Sequence, residues 1–158
     1  MLLSKHAKTK IFEDINEAPF FSIIIDTIRD ISKIDQMSIV FRYVKIIKSS
    51  ENIPVDIKIF ETFTGFYETH DHTASGLKQL IIKELEEKSI SISKCVGQGY
   101  ERANVMSGNY NGLQAKLKNR GKNADYIHCA SHNLNFVLND AVNGISESVN
   151  FFEVVEYL

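Results

Sequence analysis

The sequence predicts an α/β fold, a mixed sheet of three antiparallel strands followed by two parallel strands, with flanking helices. Three observations point to it. The first 66 residues carry three runs rich in β-branched and aromatic residues; the remainder alternates short apolar runs with stretches of helical periodicity; and the only prolines, Pro19 and Pro54, fall where the apolar pattern breaks.

Each element follows in order. A helical lead-in occupies residues 1–19. FFSIIID and MSIVFRYVKII predict two antiparallel strands, Phe20 to Asp26 and Met37 to Ile46, with SKIDQ as a connection short enough for a hairpin. After Pro54, VDIKIFETFTGF alternates as a third strand in which Ile57, Ile59 and Phe63 share a face. From Thr73 the spacing of Leu77, Leu80, Ile81 and Leu85 predicts an amphipathic helix with Asp71 or Thr73 as N-cap.

SISKCVG then predicts a short buried strand, with Gly97 and Gly99 in a tight turn that leads to a helix. LQAKLKNRG is the end of that helix, stopped by Gly121. DYIHCAS predicts the fifth strand. LNFVLNDAVNG predicts a helix with Leu134, Val137, Leu138 and Ala141 inward and Gly144 as its stop, and residues 146–158 a terminal helix around Val149, Phe152 and Val155. Right-handed crossovers would set the later strands parallel beside the first.

At 158 residues with 44% hydrophobic content the chain can bury one substantial core, so a single domain over 1–158 is expected, with its sheet and helices in 20–145. No run approaches the roughly 18 apolar residues of a membrane span, and the start lacks the apolar stretch of a secretory signal. Two distant cysteines, Cys95 and Cys129, offer neither a disulfide framework nor a four-thiolate zinc site, which fits a reducing, intracellular compartment. A net charge of −2 excludes a generally basic coat but allows a local cluster.

Five stretches carry a more specific signal: FFSIIIDTIRDISKIDQMSIVFRYV, ETFTGFYETHDHTASGL, CVGQGYERANVMSGNYNGLQAKL, YIHCASHNLNFVL and FFEVVEYL. Together they resemble the catalytic core of hAT-superfamily DNA transposases, as found in zinc-finger MYM-type-like domesticated proteins. That resemblance implies a ribonuclease-H-like sheet, incomplete at its C-terminus, and two-metal nucleotidyl transfer with magnesium or manganese held by three acidic groups. It also implies DNA as partner and the nucleus as location.

The resemblance sets the first acid at Asp26 and the second at Glu101. The third lies on a helix beyond a long insertion that has no counterpart here. Active relatives carry aspartate followed by a small residue at the second position, whereas this chain has Glu101 followed by Arg102. The extra methylene displaces the carboxylate by about 1.5 Å, against a tolerance near 0.5 Å for catalytic groups. The expected outcome is a degenerate acidic pair and an inactive chain. Read from the residues alone, Asp26 is equally a strand-end aspartate, Glu101 a solvated partner of Arg102, and Asp30 a turn or cap residue. A last carboxylate recruited from Glu147, Glu153 or Glu156 would instead give a small metal-dependent nuclease.

His128, Cys129 and His132 form HCxxH, which the resemblance associates with DNA positioning, mainly through Cys129 and His132. A zinc site lacks its fourth ligand, and core or capping roles remain open. His70 and His72 flank Asp71 in what reads as a solvated loop leading into the helix. Lys116, Lys118, Arg120 and Lys122 form a basic group in which Lys116 and Arg120 can touch phosphate or simply line a solvated face. The competing expectation is a non-catalytic interaction module that binds a protein partner or itself through the apolar stretch at Phe151, Phe152 and Val155.

Overall fold

The computed structural model describes residues 2–29, 35–101 and 103–156. Helix α1 (Leu2–Glu17) precedes strands β1 (Phe21–Arg29), β2 (Asp35–Lys48) and β3 (Pro54–Glu68). Helix α2 (Ala74–Glu87), a 3₁₀ turn (Ile92–Lys94), strand β4 (Cys95–Tyr100), short helices α3 (Asn104–Ser107) and α4 (Leu113–Lys118), strand β5 (Asp125–His128) and helices α5 (Ala130–Asn143) and α6 (Ser146–Glu156) follow. The sheet order is β3-β2-β1-β4-β5, with β1 antiparallel to β2, β2 antiparallel to β3 and β4 parallel to β1. The chain is therefore the expected mixed α/β sheet with flanking helices.

Alternation along β1 and β2 gives one face to the core. Phe21, Ile23 and Ile25 of β1 and Met37, Ile39, Phe41 and Tyr43 of β2 are buried, and they meet Leu77, Ile81 and Leu85 of α2, Ile15 of α1 and Leu113 and Leu117 of α4. Burying each such aliphatic side chain stabilises by roughly 1.5–3 kcal/mol. Thr73 is the N-cap of α2: its side chain accepts the Gly76 amide, while Asp71 Oδ1 accepts the Thr73 amide at 2.9 Å. The cap holds the Asp71 carboxyl below its ordinary range, chiefly through that backbone hydrogen bond. Helix α1 is held by Lys45 on Asp14 at 2.8 Å, and near its C-terminal end Lys94 Nζ donates to the carbonyls of Asn16 and Ala18. A cation there also complements the helix dipole.

The structure corrects three expectations. The fourth strand is Cys95–Tyr100, not SISKCVG, whose first residues form a 3₁₀ turn. Gly97 and Gly99 accordingly lie inside the strand, opposite Ser22 and Ile24, and not in a turn. A Cβ on Gly97 would sit 2.6 Å from Ser22 Oγ, so the missing side chain serves the close approach of β1 and β4.

The third correction concerns α5. Leu134, Val137, Leu138 and Ala141 were expected inward, yet all four are exposed. The chain separates into two compact units, 1–127 and 128–158, and α5 and α6 belong to the second. Two helices cannot enclose a full apolar stripe between them, which is the physical reason for the exposure. Within α6, Phe151 and Val154 are exposed and Val149 is half-buried, while the side chains of Phe152 and Val155 lie outside the described residues. No described helix is long and apolar enough to cross a membrane.

Candidate functional site

Asp26 lies two residues beyond Ile24 in β1, and Glu101 two residues beyond Gly99 at the end of β4; Ile24 and Gly99 are the last paired positions of the parallel β1 and β4 strands. Equal offsets on parallel neighbours about 4.8 Å apart bring both backbone positions to the same sheet edge. Both side chains are half-buried.

The contact made by the Glu101 carboxylate is with Thr27, whose hydroxyl donates to Oε1 at 3.5 Å. Successive strand residues project to opposite faces, so Thr27 shares the side of Ile25 and Asp26 that of Ile24. The Asp26 backbone carbonyl accepts from Ser38 Oγ at 3.3 Å, which ties this end of β1 to β2. Arg102, the expected partner of Glu101, and Asp30 lie outside the described residues.

Behind Glu101, the backbone is held by Tyr126, whose hydroxyl donates to the Glu101 carbonyl at 3.0 Å. One strand residue earlier, Tyr100 is buried and donates to Gln98 Oε1 at 2.6 Å, and Gln98 Nε2 donates to the carbonyls of Ala124 at 2.8 Å and Gln114 at 3.0 Å. This polar network joins β4 to α4 and to the chain before β5. Sequence reading missed it; the available signal was a glutamine inside an apolar strand with a tyrosine two residues on, the spacing of side chains on one face.

A divalent-metal centre can be tested on the donor set. Hard cations take six or more oxygen ligands, and a two-metal centre divides at least three carboxylates between its ions. Among the described residues no group of three His, Cys, Asp or Glu side chains is arranged to hold a metal ion. The described residues therefore supply no donor set of the size a two-metal centre uses. Glu147 lies in α6, and the side chains of Glu153 and Glu156 are outside the described residues.

The second group, HCxxH, spans the end of β5 and the start of α5. His128 ends the strand, Cys129 is the α5 N-cap and His132 lies in the first turn, so the strand does pass directly into the helix. A hydrogen bond from the His132 side chain holds the Cys129 thiol below its ordinary range. Cys95 is the opposite case: burial pushes its thiol up to about 11. In the α2 approach loop, His70 and His72 are exposed and lie 3.6 Å from Glu68 and 3.2 Å from Asp35, respectively.

The basic group resolves into two parts. Lys118 pairs with Asp125 at 2.6 Å, and Lys122 is exposed. Lys116 and Arg120 instead line a concavity of about 340 Å³ with Asn119 and, from α2, Ser75, Lys78 and Gln79. Its lining holds three cations and no carboxylate, and among the described residues none of the three cations forms an ion pair. Packing of α2 beside α4 makes Lys78 part of this basic hollow.

No solved structure matches the chain. A family model does match, over residues 2–112, a span that runs from α1 through α3 and includes Asp26 and Glu101 but stops short of Lys116, Arg120, Cys129 and His132. The chain belongs to that family, DUF4371, the RNase-like domain of ZMYM1/FAM200.

Proposed function

We infer that this chain derives from an hAT-type DNA transposase and, as it stands, is a decayed core that neither cleaves DNA nor transfers strands. The observation that carries the reading is the equal offset of Asp26 and Glu101 on parallel neighbouring strands, combined with the engagement of Glu101 by Thr27. The shared strand end of Asp26 and Glu101 supports descent from an acidic site, and the engagement of Glu101 by Thr27 supports its loss of function. Under this reading magnesium or manganese binding at Asp26 and Glu101 is weak, since the described residues offer no group of three acidic or histidine ligands.

The activity left to such a domain is binding. The hollow between α2 and α4 favours nucleic-acid phosphate over an acidic protein, because three cations, on α2, on α4 and just past the α4 C-cap, sit among amide and hydroxyl groups that suit phosphate oxygens. DNA is the partner and the nucleus the location under this reading. Cys129 and His132 take a positioning role near nucleic acid.

The test is fluorescence anisotropy with a labelled DNA duplex across a salt series. Neutralising three phosphates should contribute about 2.7 to the slope of log affinity against log salt, so the K78E/K116E/R120E variant should lose roughly that much. Asp26→Asn should leave the slope unchanged. An unaltered slope in the triple variant would remove the α2–α4 hollow from the account.

A further inference from the structure

We propose that β3 is a self-complementary edge through which two copies of this chain join into one continuous antiparallel sheet, on a two-fold axis at Ile57. β3 ends the sheet order and is 15 residues long. An unpaired edge presents a row of donors and acceptors ready for another strand. Short strands, bulges, prolines and charges usually blunt such an edge; here Pro54 sits at the start, the register with β2 shifts at Val55 and at Thr64, and between those two points the strand runs regularly, with residues 55–60 all exposed.

The groups needed for pairing face outward at the right position. The Ile57 amide donates to Oδ1 of its neighbour Asp56 at 2.8 Å. An amide has one hydrogen, so this one is not spent on β2 and lies on the open side of the strand. In an antiparallel ladder the outward groups recur every second residue, which aligns Ile57 with Ile59, while Val55 sits at the register shift that begins the regular run.

The segment Val55-Asp56-Ile57-Lys58-Ile59 then selects its own partner. Asp56 and Lys58 oppose Ile47 and Lys45 on one face of the sheet, while Ile57 and Ile59 oppose Ile46 and Val44 on the other. A two-fold axis through Ile57 pairs each residue with one on the same face of the second copy. Ile57 meets Ile57, Val55 meets Ile59, and Asp56 meets Lys58, the last two pairs occurring twice by symmetry. The charged pairs fall at the non-hydrogen-bonded positions, where opposing side chains are closest.

Neighbouring registers lose this match. Centring on Asp56, Lys58 or Glu61 opposes like charges, and centring on Ile59 or Phe60 sets an isoleucine against Glu61. The apolar half of the match is also the exposed half: Val55, Ile57 and Ile59 are 63%, 66% and 59% exposed. Docking the second strand packs these side chains against those of the second copy, and the Asp56 carboxylate releases the Ile57 amide to face Lys58 of the second copy.

Sedimentation velocity of the whole chain across the micromolar range tests the proposal. The expected result is a concentration-dependent two-copy species. Ile57→Pro removes only an outward amide and should give a monomer. Asp56→Lys and Lys58→Asp each turn two opposed pairs into like charges and should raise the dissociation constant by about ten-fold or more, and the D56K/K58D double variant should restore it. The charge variants keep the test decisive should Ile57→Pro misfold. A strictly monomeric wild type would overturn the proposal, as would association that persists in I57P or a double swap as weak as the single ones.

Discussion

Thr27 donates its hydroxyl hydrogen to Oε1 of Glu101 at 3.5 Å, and so links the end of β1 to the residue that follows β4. The glutamate that a metal centre would need is engaged by a neutral hydroxyl on the side of the strand away from Asp26. A long, half-buried hydrogen bond of this kind contributes on the order of 0.5–1 kcal/mol. In a double-mutant cycle of Thr27→Val and Glu101→Gln, urea denaturation should give a coupling of about that size; additivity within error would mean that the contact does not hold Glu101.

The polar network at Gln98 should matter far more to folding. Gln98→Leu would strand the Ala124 and Gln114 carbonyls and the Tyr100 hydroxyl in a buried setting. Each unsatisfied group costs roughly 1–3 kcal/mol, so a total loss of about 3 kcal/mol is expected in chemical denaturation. Ala124 and Gln114 amide-exchange protection should fall together with it, since the same side chain bridges both segments.

Gly97 tests the close approach of β1 and β4. With a Cβ position 2.6 Å from Ser22 Oγ and 3.1 Å from Ser22 Cβ, Gly97→Ala forces one strand to shift. The expected loss is about 1–3 kcal/mol, the usual range for overpacking. Combining it with Ser22→Gly should recover most of that loss, whereas an equal cost in both backgrounds would locate the strain elsewhere.

The two thiols should differ in reactivity. Cys129, lowered by the His132 hydrogen bond, should react with a disulfide reagent in the folded protein near neutral pH, and buried Cys95 should not. Alkylation of Cys129 followed against pH should shift upward in His132→Ala. Equal labelling of both thiols under native conditions would contradict the buried position of Cys95.

Alkaline pH should destabilise the fold. Burial raises Cys95 to about 11 and raises Tyr100 as well. For these acids the folded form holds its proton more tightly than the unfolded one, so stability is full below the unfolded thiol value of about 8.5 and declines as pH climbs toward 11. The denaturation midpoint should fall over that window, and Cys95→Ala should flatten the slope while lowering stability at every pH through the cavity it leaves.

Much of this architecture was legible in residue pattern. β1, β2 and β3 announce themselves by period-two apolar residues, and α2 by Leu77, Ile81 and Leu85 at helical spacing behind a Thr73 cap, because local preference and tertiary burial agree there. The start and end of β4 were not legible. Glycines read locally as turn residues, and only the distance from Gly97 to Ser22 explains why a strand should carry one. Exposure along α5 was hidden for a different reason: an apolar stripe has the same spacing whether or not anything covers it. Lys78 joined the candidate phosphate hollow only through α2 and α4 packing, which no single helix encodes.

Asp26 and Glu101 were found by resemblance, and their shared sheet edge follows from strand order. The competing contact with Thr27 depends on a side-chain direction just past the end of β4, where strand periodicity no longer dictates it.

The central claim is tested most directly by incubating supercoiled DNA with the purified chain in magnesium and in manganese, beside Asp26→Ala. The account predicts no nicking above the metal-only control and no difference between the two proteins. Metal-dependent nicking by the wild type that vanishes in Asp26→Ala would show that this strand end is a working catalytic centre and would contradict the account.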